Sequence, residues 1–448
     1  MGNKQSQAIV GDSSDLESSK IFKLNIDCFD EIFEYLSMKD LHSFGQTCKR
    51  MNKVAGEYFK RNHSSAEKFC AKDGIHTVYS DQDGVFGKLI QTSGFRKFMP
   101  CISIRGNDFD AFRYIQSHVT EFESTNHIHL SMLNVTAKVI EFIKELLPQL
   151  EIVQLRKCLV CDDLYELMLK HCTNLKKIEC YRLVDSNHLL HEYPKLEHFK
   201  LIPNHMRRIA ELREFFVRNP NVQKFTTTSR LLWENRDIFL NSNITLELLE
   251  LNEECSDRLD GFEHSKEISN LLNQLYEQGF YKRLYLYVYY VDVDFSNSLI
   301  SLKGLELLRI RWFNESYNLP QLTNLKELTI LSGSNATEME ILANHLVKLE
   351  RLYIERANID DIMPFIRRSS KLNKIKMFPR TKDSFNSGVL NLTMLNEERA
   401  KLAGARKIII YTSDNIFLAT KWATYNGDTN LRLIEIRRAD SYEWNRQY

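Results

Sequence analysis

One short pattern of apolar and polar positions keeps returning along the chain. It reads LEIVQL from Leu150, LKKIEC from Leu175, LEHFKL from Leu196 and LELLEL from Leu246. It comes back as LELLRI from Leu305, LKELTI from Leu325, LERLYI from Leu349 and LNKIKM from Leu372. Weaker copies start at Met99, Thr125, Val222, Tyr281, Ala405 and Leu431. The last two apolar positions of a copy are two residues apart, so an extended strand turns both to one face. The first caps the same core from the preceding turn. A single copy cannot bury that face, but stacked neighbours can, and the stack has a parallel sheet along one side.

The copies start 20 to 26 residues apart, with two wider gaps of 35 and 33 that read as insertions on the outer side. Helical stripes fill the intervals. Val139, Phe142, Ile143, Leu146 and Leu147 recur at helical spacing, as do Leu164, Leu167 and Met168, and Ile268, Leu271, Leu272 and Leu275. The unit LEIVQLRKCLVCDDLYELMLKHCTNLKKIEC resembles the cysteine-containing type of leucine-rich repeat. Cys158 stands where that family uses Cys or Asn to hydrogen-bond the turn after the strand, and Cys172 stands just before the next repeat. The resemblance covers residues 95–440 and implies a solenoid with a curved parallel sheet inside and helices outside.

Nearer the N-terminus, LNIDCFDEIFEYLSMKDLHSFGQTCKRMNKVAGEYFKRN reads as three short helices. Phe29, Ile32, Phe33 and Leu36 share one apolar face. Ser37, with Asp40 three residues on, reads as the N-cap of a second helix carrying Leu41, Phe44 and Cys48. Met51, Val54, Ala55, Tyr58 and Phe59 form the stripe of the third. Such a short unit cannot complete a core alone and finishes its burial against a partner.

These residues resemble the F-box. Leu24, Ile26, Asp27, Ile32, Phe33, Leu36, Asp40, Leu41, Cys48, Lys49, Arg50 and Met51 match its pattern. The chain departs from it at Asn25, where the family has Pro, and at Met51–Asn52, where many members have Trp or Phe. A plain three-helix cap on the solenoid fits the periodicity as well; the residue identities favour the F-box. The expected organisation is a polar, disordered tail over 1–20, the F-box over 21–65, a connecting or capping segment over 66–94, repeats over 95–440 and a tail over 441–448. The fold class is α/β.

Composition narrows the function. Lys and Arg number 60 against 59 Asp and Glu, so wholesale nucleic-acid binding gains no support. No apolar run approaches the roughly 18 residues of a membrane span. Nine cysteines, mostly at apolar or turn positions, point to reduced thiols in the cytoplasm or nucleus. Met1-Gly2-Asn3-Lys4-Gln5-Ser6 fits the N-myristoylation pattern with Gly2 as acceptor. One acyl chain alone gives marginal, reversible membrane association. No phosphate-cradling glycine loop appears, and no Ser/His/Asp or Cys/His set can be placed by spacing. Cys158 and Cys161 have half a zinc site's spacing, but the repeat frame already accounts for Cys158 and Cys172. His127 and His129 read as a polar surface pair. No metal, cofactor or catalytic residue is expected.

In each repeat strand the residues between the buried ones face away from the helices, onto the concave side. From Tyr281 onward that lining turns basic and aromatic, with Arg283, Tyr285, Tyr287, Arg309, Arg311, Arg351, Tyr353 and Lys376 as the candidate substrate-binding set. Arg and Tyr dominate binding hot spots, and guanidinium pairs bidentately with carboxylate or phosphate. A solvated strand face carries the same residue types for propensity and solubility, so the reading stays a candidate.

The resemblance implies a non-catalytic substrate receptor of an SCF-type ubiquitin ligase. The F-box would dock on a Skp-type adaptor and through it on a cullin scaffold, with Leu24, Ile26, Phe29, Ile32, Phe33, Leu36, Leu41 and Phe44 as candidate contacts, some of which must pack the interior instead. The arc would hold a protein substrate, acidic or phosphorylated. A rival reading is a non-degradative leucine-rich-repeat scaffold, myristoylated at Gly2 and membrane-associated.

Overall fold

A computed structural model describes residues 21, 24–79, 88–106, 109–156, 158–160, 170–181, 187–202, 209–253, 265–290, 293–312, 319–332, 336–378 and 389–441. Gly2, Cys161 and the stripe Leu164, Leu167, Met168 lie outside them.

Three helices come first: α1 (Ile26–Phe33), α2 (Met38–Gly45) and α3 (Lys49–Asn62). Asn25, at the position of the family's Pro, is the N-cap of α1, and its side chain accepts from the Cys28 N–H at 2.8 Å. The substitution therefore keeps the helix start by a different device: a cap satisfies an orphan donor where Pro would fix φ. Ser37 caps α2 as its spacing predicts, accepting from the Asp40 N–H and donating to the Asp40 carboxylate at 2.6 Å. Phe29, Phe33, Leu41, Met51, Ala55 and Phe59 are buried between the helices. Phe33 sits edge-on to both Phe44 and Tyr58 at 5.4 Å. Gly56 lets α3 lie flat on Phe98, since a Cβ there would come within 2.1 Å of that ring.

Strands follow as β1 (Glu67–Ala71), β2 (Gly74–Tyr79), β3 (Lys88–Gln91), β4 (Cys101–Arg105), β5 (His127–Ser131), β6 (Asn134–Val135), β7 (Ile152–Arg156), β8 (Leu159–Val160), β9 (Lys177–Tyr181) and β10 (His198–Ile202). The series continues with β11 (Lys224–Thr227), β12 (Leu246–Asn252), β13 (Tyr281–Tyr290), β14 (Leu305–Trp312), β15 (Glu327–Ile330), β16 (Arg351–Ile354), β17 (Lys374–Met377), β18 (Ile408–Thr412) and β19 (Ile434–Arg438). Each of the fourteen recurrent phrases becomes one of these strands. From β4 to β19, β6 and β8 apart, they pair in chain order and always in parallel. β1 joins this sheet in parallel beside β4, and β2 and β3 extend it as antiparallel strands at the outer edge. Within 66–94, β1, β2 and β3 thus belong to the sheet, as strands the recurrent phrase does not mark. The short β6 and β8 pair apart.

A long parallel sheet with one strand per repeat fits a repeat solenoid. The phrase leucines Leu150, Leu175, Leu196, Leu246, Leu325, Leu349 and Leu372 are all buried, in one core with the helix stripes Val139, Ile143, Ile268, Leu271 and Leu275. Cys158 donates its S–H to the Leu130 carbonyl of β5 at 3.2 Å, tying the turn after β7 to the strand before it. The two wide gaps hold the helices Ser265–Glu277 and Leu392–Ala400. The second is pinned by Arg399, fully buried, which donates to the carbonyls of Ile366, Ser369, Ser370, Leu372 and Arg406 at 2.9–3.1 Å.

The last repeat returns to the first helices. Ser65 N–H donates to the Asp440 carbonyl at 3.0 Å, and Arg438, at the end of β19, donates to the carbonyls of Glu34 and Leu36 at 3.1 and 3.0 Å. Arg438 is 2 % exposed and ion-pairs with the equally buried Asp414. Lys421, on the helix Asp414–Ala423, pairs with Glu34 and lies over the Tyr35 ring. Both ends of the arc thus rest on the three-helix unit, and the chain closes on itself.

Candidate docking surfaces

The structure divides the eight apolar residues read as adaptor contacts. Phe29, Phe33 and Leu41 are 0–1 % exposed and belong to the interior. Leu24, Leu36 and Phe44 are half-buried against that interior. Ile26, 63 % exposed, and Ile32, 37 % exposed, stand on the outer surface with Ile21. The pattern could not separate these groups, because in a helix of eight residues the flanks of the apolar stripe carry the same residue types as its centre. A protein surface that leaves such isoleucines in water gains from covering them, by about 25 cal/mol per Å² of apolar area.

The second surface is the sheet face turned away from the helices. Its register brings four of the candidate substrate residues into one row. Tyr287 lies beside Arg309, Arg309 beside Thr329, Thr329 beside Tyr353, and Tyr353 beside Lys376. The row continues through Tyr411 and Arg437. Neighbouring strands are about 4.8 Å apart, so cations and rings interleave. The Arg309 guanidinium lies 4.4 Å from the Tyr287 ring centroid, and the Lys376 ammonium lies between Tyr353 and Phe378 at 5.7 and 5.6 Å. Arg311 stacks on Tyr289 at 4.7 Å. Tyr285 and Arg351 occupy the next row, where Arg351 pairs with Glu327 at 2.7 Å. Arg283 lies beside Leu248, at the far end.

This face is much less open than strand alternation suggests. Tyr285, Tyr287, Thr329 and Arg351 are all under a tenth exposed. Packing between neighbouring strands accounts for much of this: Arg351 pairs with Glu327, Arg309 covers the Tyr287 ring, and Tyr285 packs between Leu248 and Leu307. Earlier strands show the same crowding. Lys177 and Lys200 flank Glu179 at 2.6 and 3.7 Å, and Lys224 pairs with Glu250 at 2.9 Å. Burial alone would raise the Glu179 carboxyl, but Lys200 and Lys177 together hold it well below the usual carboxylate range. From β14 to β19 the strand positions on this face carry six Lys or Arg (Arg309, Arg311, Arg351, Lys374, Lys376 and Arg437) against two Glu (Glu327 and Glu435). Cations thus outnumber carboxylates on this stretch of the face. Burial lowers the Lys374 and Lys376 ammonium groups; Arg351 and Arg437 add to it at the first, while Asp440 opposes it and Arg309 adds to it at the second.

Arg437 and the closing residues Arg438, Asp414 and Lys421 escaped the sequence reading. The signal for one was present: Ile434, Ile436 and Arg438 alternate, so the third core-facing position of the last copy holds a cation. Among the described residues no group of three or more His, Cys, Asp or Glu could hold a metal ion, and no helix is long and apolar enough to cross a membrane.

Comparison with protein-family models finds an F-box domain at residues 21–60, the span of α1, α2 and most of α3. The three-helix unit is therefore an F-box domain, the class of module that binds Skp-type adaptors. No curated protein matches the chain.

Proposed function

We propose that this protein is the substrate-recognition subunit of an SCF-type E3 ubiquitin ligase, with an F-box that docks on a Skp-type adaptor and a leucine-rich-repeat arc that holds a protein substrate. The observation that carries the reading is an F-box domain with Ile26 and Ile32 standing in solvent while Phe29, Phe33 and Leu41 complete its own core. Through the adaptor the chain joins a cullin scaffold, and ubiquitin transfer is done by partner enzymes. The receptor contributes proximity, which turns an encounter between molecules into an intramolecular one. Its site of action is the cytoplasm or nucleus.

The substrate surface is the row Tyr287, Arg309, Tyr353 and Lys376, with Arg311, Tyr285, Arg351 and Arg283 beside it. The excess of cations and aromatic stacking favour an acidic or phosphorylated segment. Capture from lysate tests both halves. Wild type is expected to retain the adaptor, and Ile26→Glu plus Ile32→Glu is expected to lose it with the fold intact. Arg309→Glu plus Arg311→Glu should keep the adaptor and lose substrate. Wild type that retains no adaptor would end the ligase reading.

A further inference from the structure

Trp422 is 68 % exposed, on the outer side of a helix whose inner residues Ile416, Phe417 and Thr420 are buried. A tryptophan left in water at such exposure is a costly surface residue and a frequent binding anchor. It does not stand alone. Its ring meets the Tyr35 ring edge-on, with centroids 4.9 Å apart. Tyr35 follows Ile32 by three residues on the turn that continues α1, its N–H donating to the Ile32 carbonyl at 3.1 Å. Tyr35, on the turn that ends α1 three residues after exposed Ile32, therefore brings the F-box against exposed Trp422 of the last repeat.

The two parts are also held together by contacts other than the Trp422–Tyr35 ring pair. Lys421 is buried between Glu34 and the Tyr35 ring, and Arg438 binds the carbonyls that end α1. Gly427, at φ +64°, lies so near Tyr35 that a Cβ there would fall 1.7 Å from the tyrosine hydroxyl. These contacts close the arc, so the exposure of Trp422 is not needed for closure.

We propose that Trp422 extends the adaptor-docking surface of the F-box, so that the Skp-type adaptor seats on α1 and on the last repeat together. The occupant follows from continuity: Trp422 adjoins the F-box through its contact with Tyr35. It rests on the F-box reading above. A receptor built this way binds its adaptor in full only when the arc is closed.

The test is titration of a purified Skp-type adaptor onto the full chain, with the melting temperature of each variant recorded. Trp422→Glu should weaken adaptor binding about tenfold, with at most a small drop in melting temperature from the lost Tyr35 ring pair, and Trp422→Phe should recover most of the loss in affinity. Unchanged affinity in Trp422→Glu, with binding abolished in Ile26→Glu plus Ile32→Glu, would remove Trp422 from the interface and leave the F-box reading standing. Unchanged adaptor affinity with loss of a self-associated form on sedimentation would assign Trp422 to a second copy of this chain and overturn the proposal. No binding by wild type would overturn both readings.

Discussion

The F-box surface and the inner face of the arc are inverses of each other. On the first, Ile26 and Ile32 stand in water although they are apolar. On the second, Arg351, Glu327 and Tyr287 are withdrawn from water although they are polar or charged. An exposed apolar surface binds whatever shape covers it and gains in proportion to area. A buried charged face already satisfies much of its electrostatics, as in Arg351 with Glu327 and Lys224 with Glu250. A ligand must compete with those pairs, so it gains less energy and more discrimination. The difference fits one general partner and one selective partner on the same chain.

The largest expected effect lies where the two regions join. Arg438→Ala leaves Asp414 buried without its cation and frees the end of α1. Removing one partner of a buried pair costs about 3–5 kcal/mol, and denaturant unfolding should show a loss of that order. Wild-type stability in that variant would mean that the arc does not depend on its closure.

Next comes the contrast within the F-box itself. Leu41→Asp puts a carboxylate into the packed interior and should destabilise the chain by several kcal/mol before any partner is considered. Ile26→Glu changes polarity equally but should leave the melting temperature near wild type while abolishing adaptor binding. If both variants behaved alike, the division between interior and surface would be mistaken.

A smaller effect follows from pH. His63 is 1 % exposed, and burial, with Arg438 and Lys68 nearby, holds its imidazole well below 6.5. As pH falls below about 6.5 the unfolded chain takes up this proton and the folded chain does not. Stability is therefore full above that pH and declines as pH falls toward the folded value. Glu179 adds a second decline at lower pH, because its depressed carboxyl stabilises the fold above the ordinary carboxylate range and stops doing so as pH falls through its folded value. His63→Leu should flatten only the upper part of the acid limb, read by thermal melts across pH. An unchanged upper limb would show that His63 is not its source.

The alternation of Val153 and Leu155, with its thirteen counterparts, made the parallel sheet legible, because a period of two on a buried face has few solutions. The cap at Ser37 and the turn bond at Cys158 were legible for a similar reason: each is a local contact between near neighbours in the chain or in adjacent repeats. Closure was not. Arg438 and Glu34 lie 404 residues apart, and their meeting depends on the summed rotation of every repeat. The lining residues around Tyr287 and Thr329 could be named, but their burial depends on which side chains from neighbouring strands cover them and could not. β1 escaped because EKFCA turns Lys68 to the packed side, where its ammonium donates to the carbonyls of His63 and Ser64 at 2.7 Å.

Amide hydrogen exchange on the full chain, with and without a purified Skp-type adaptor, tests the central contrast directly. The expected result is new protection across residues 24–48 and around Trp422, with exchange in β13 to β17 unchanged. Protection confined to β13–β17, or none in the F-box at saturating adaptor, would contradict the account.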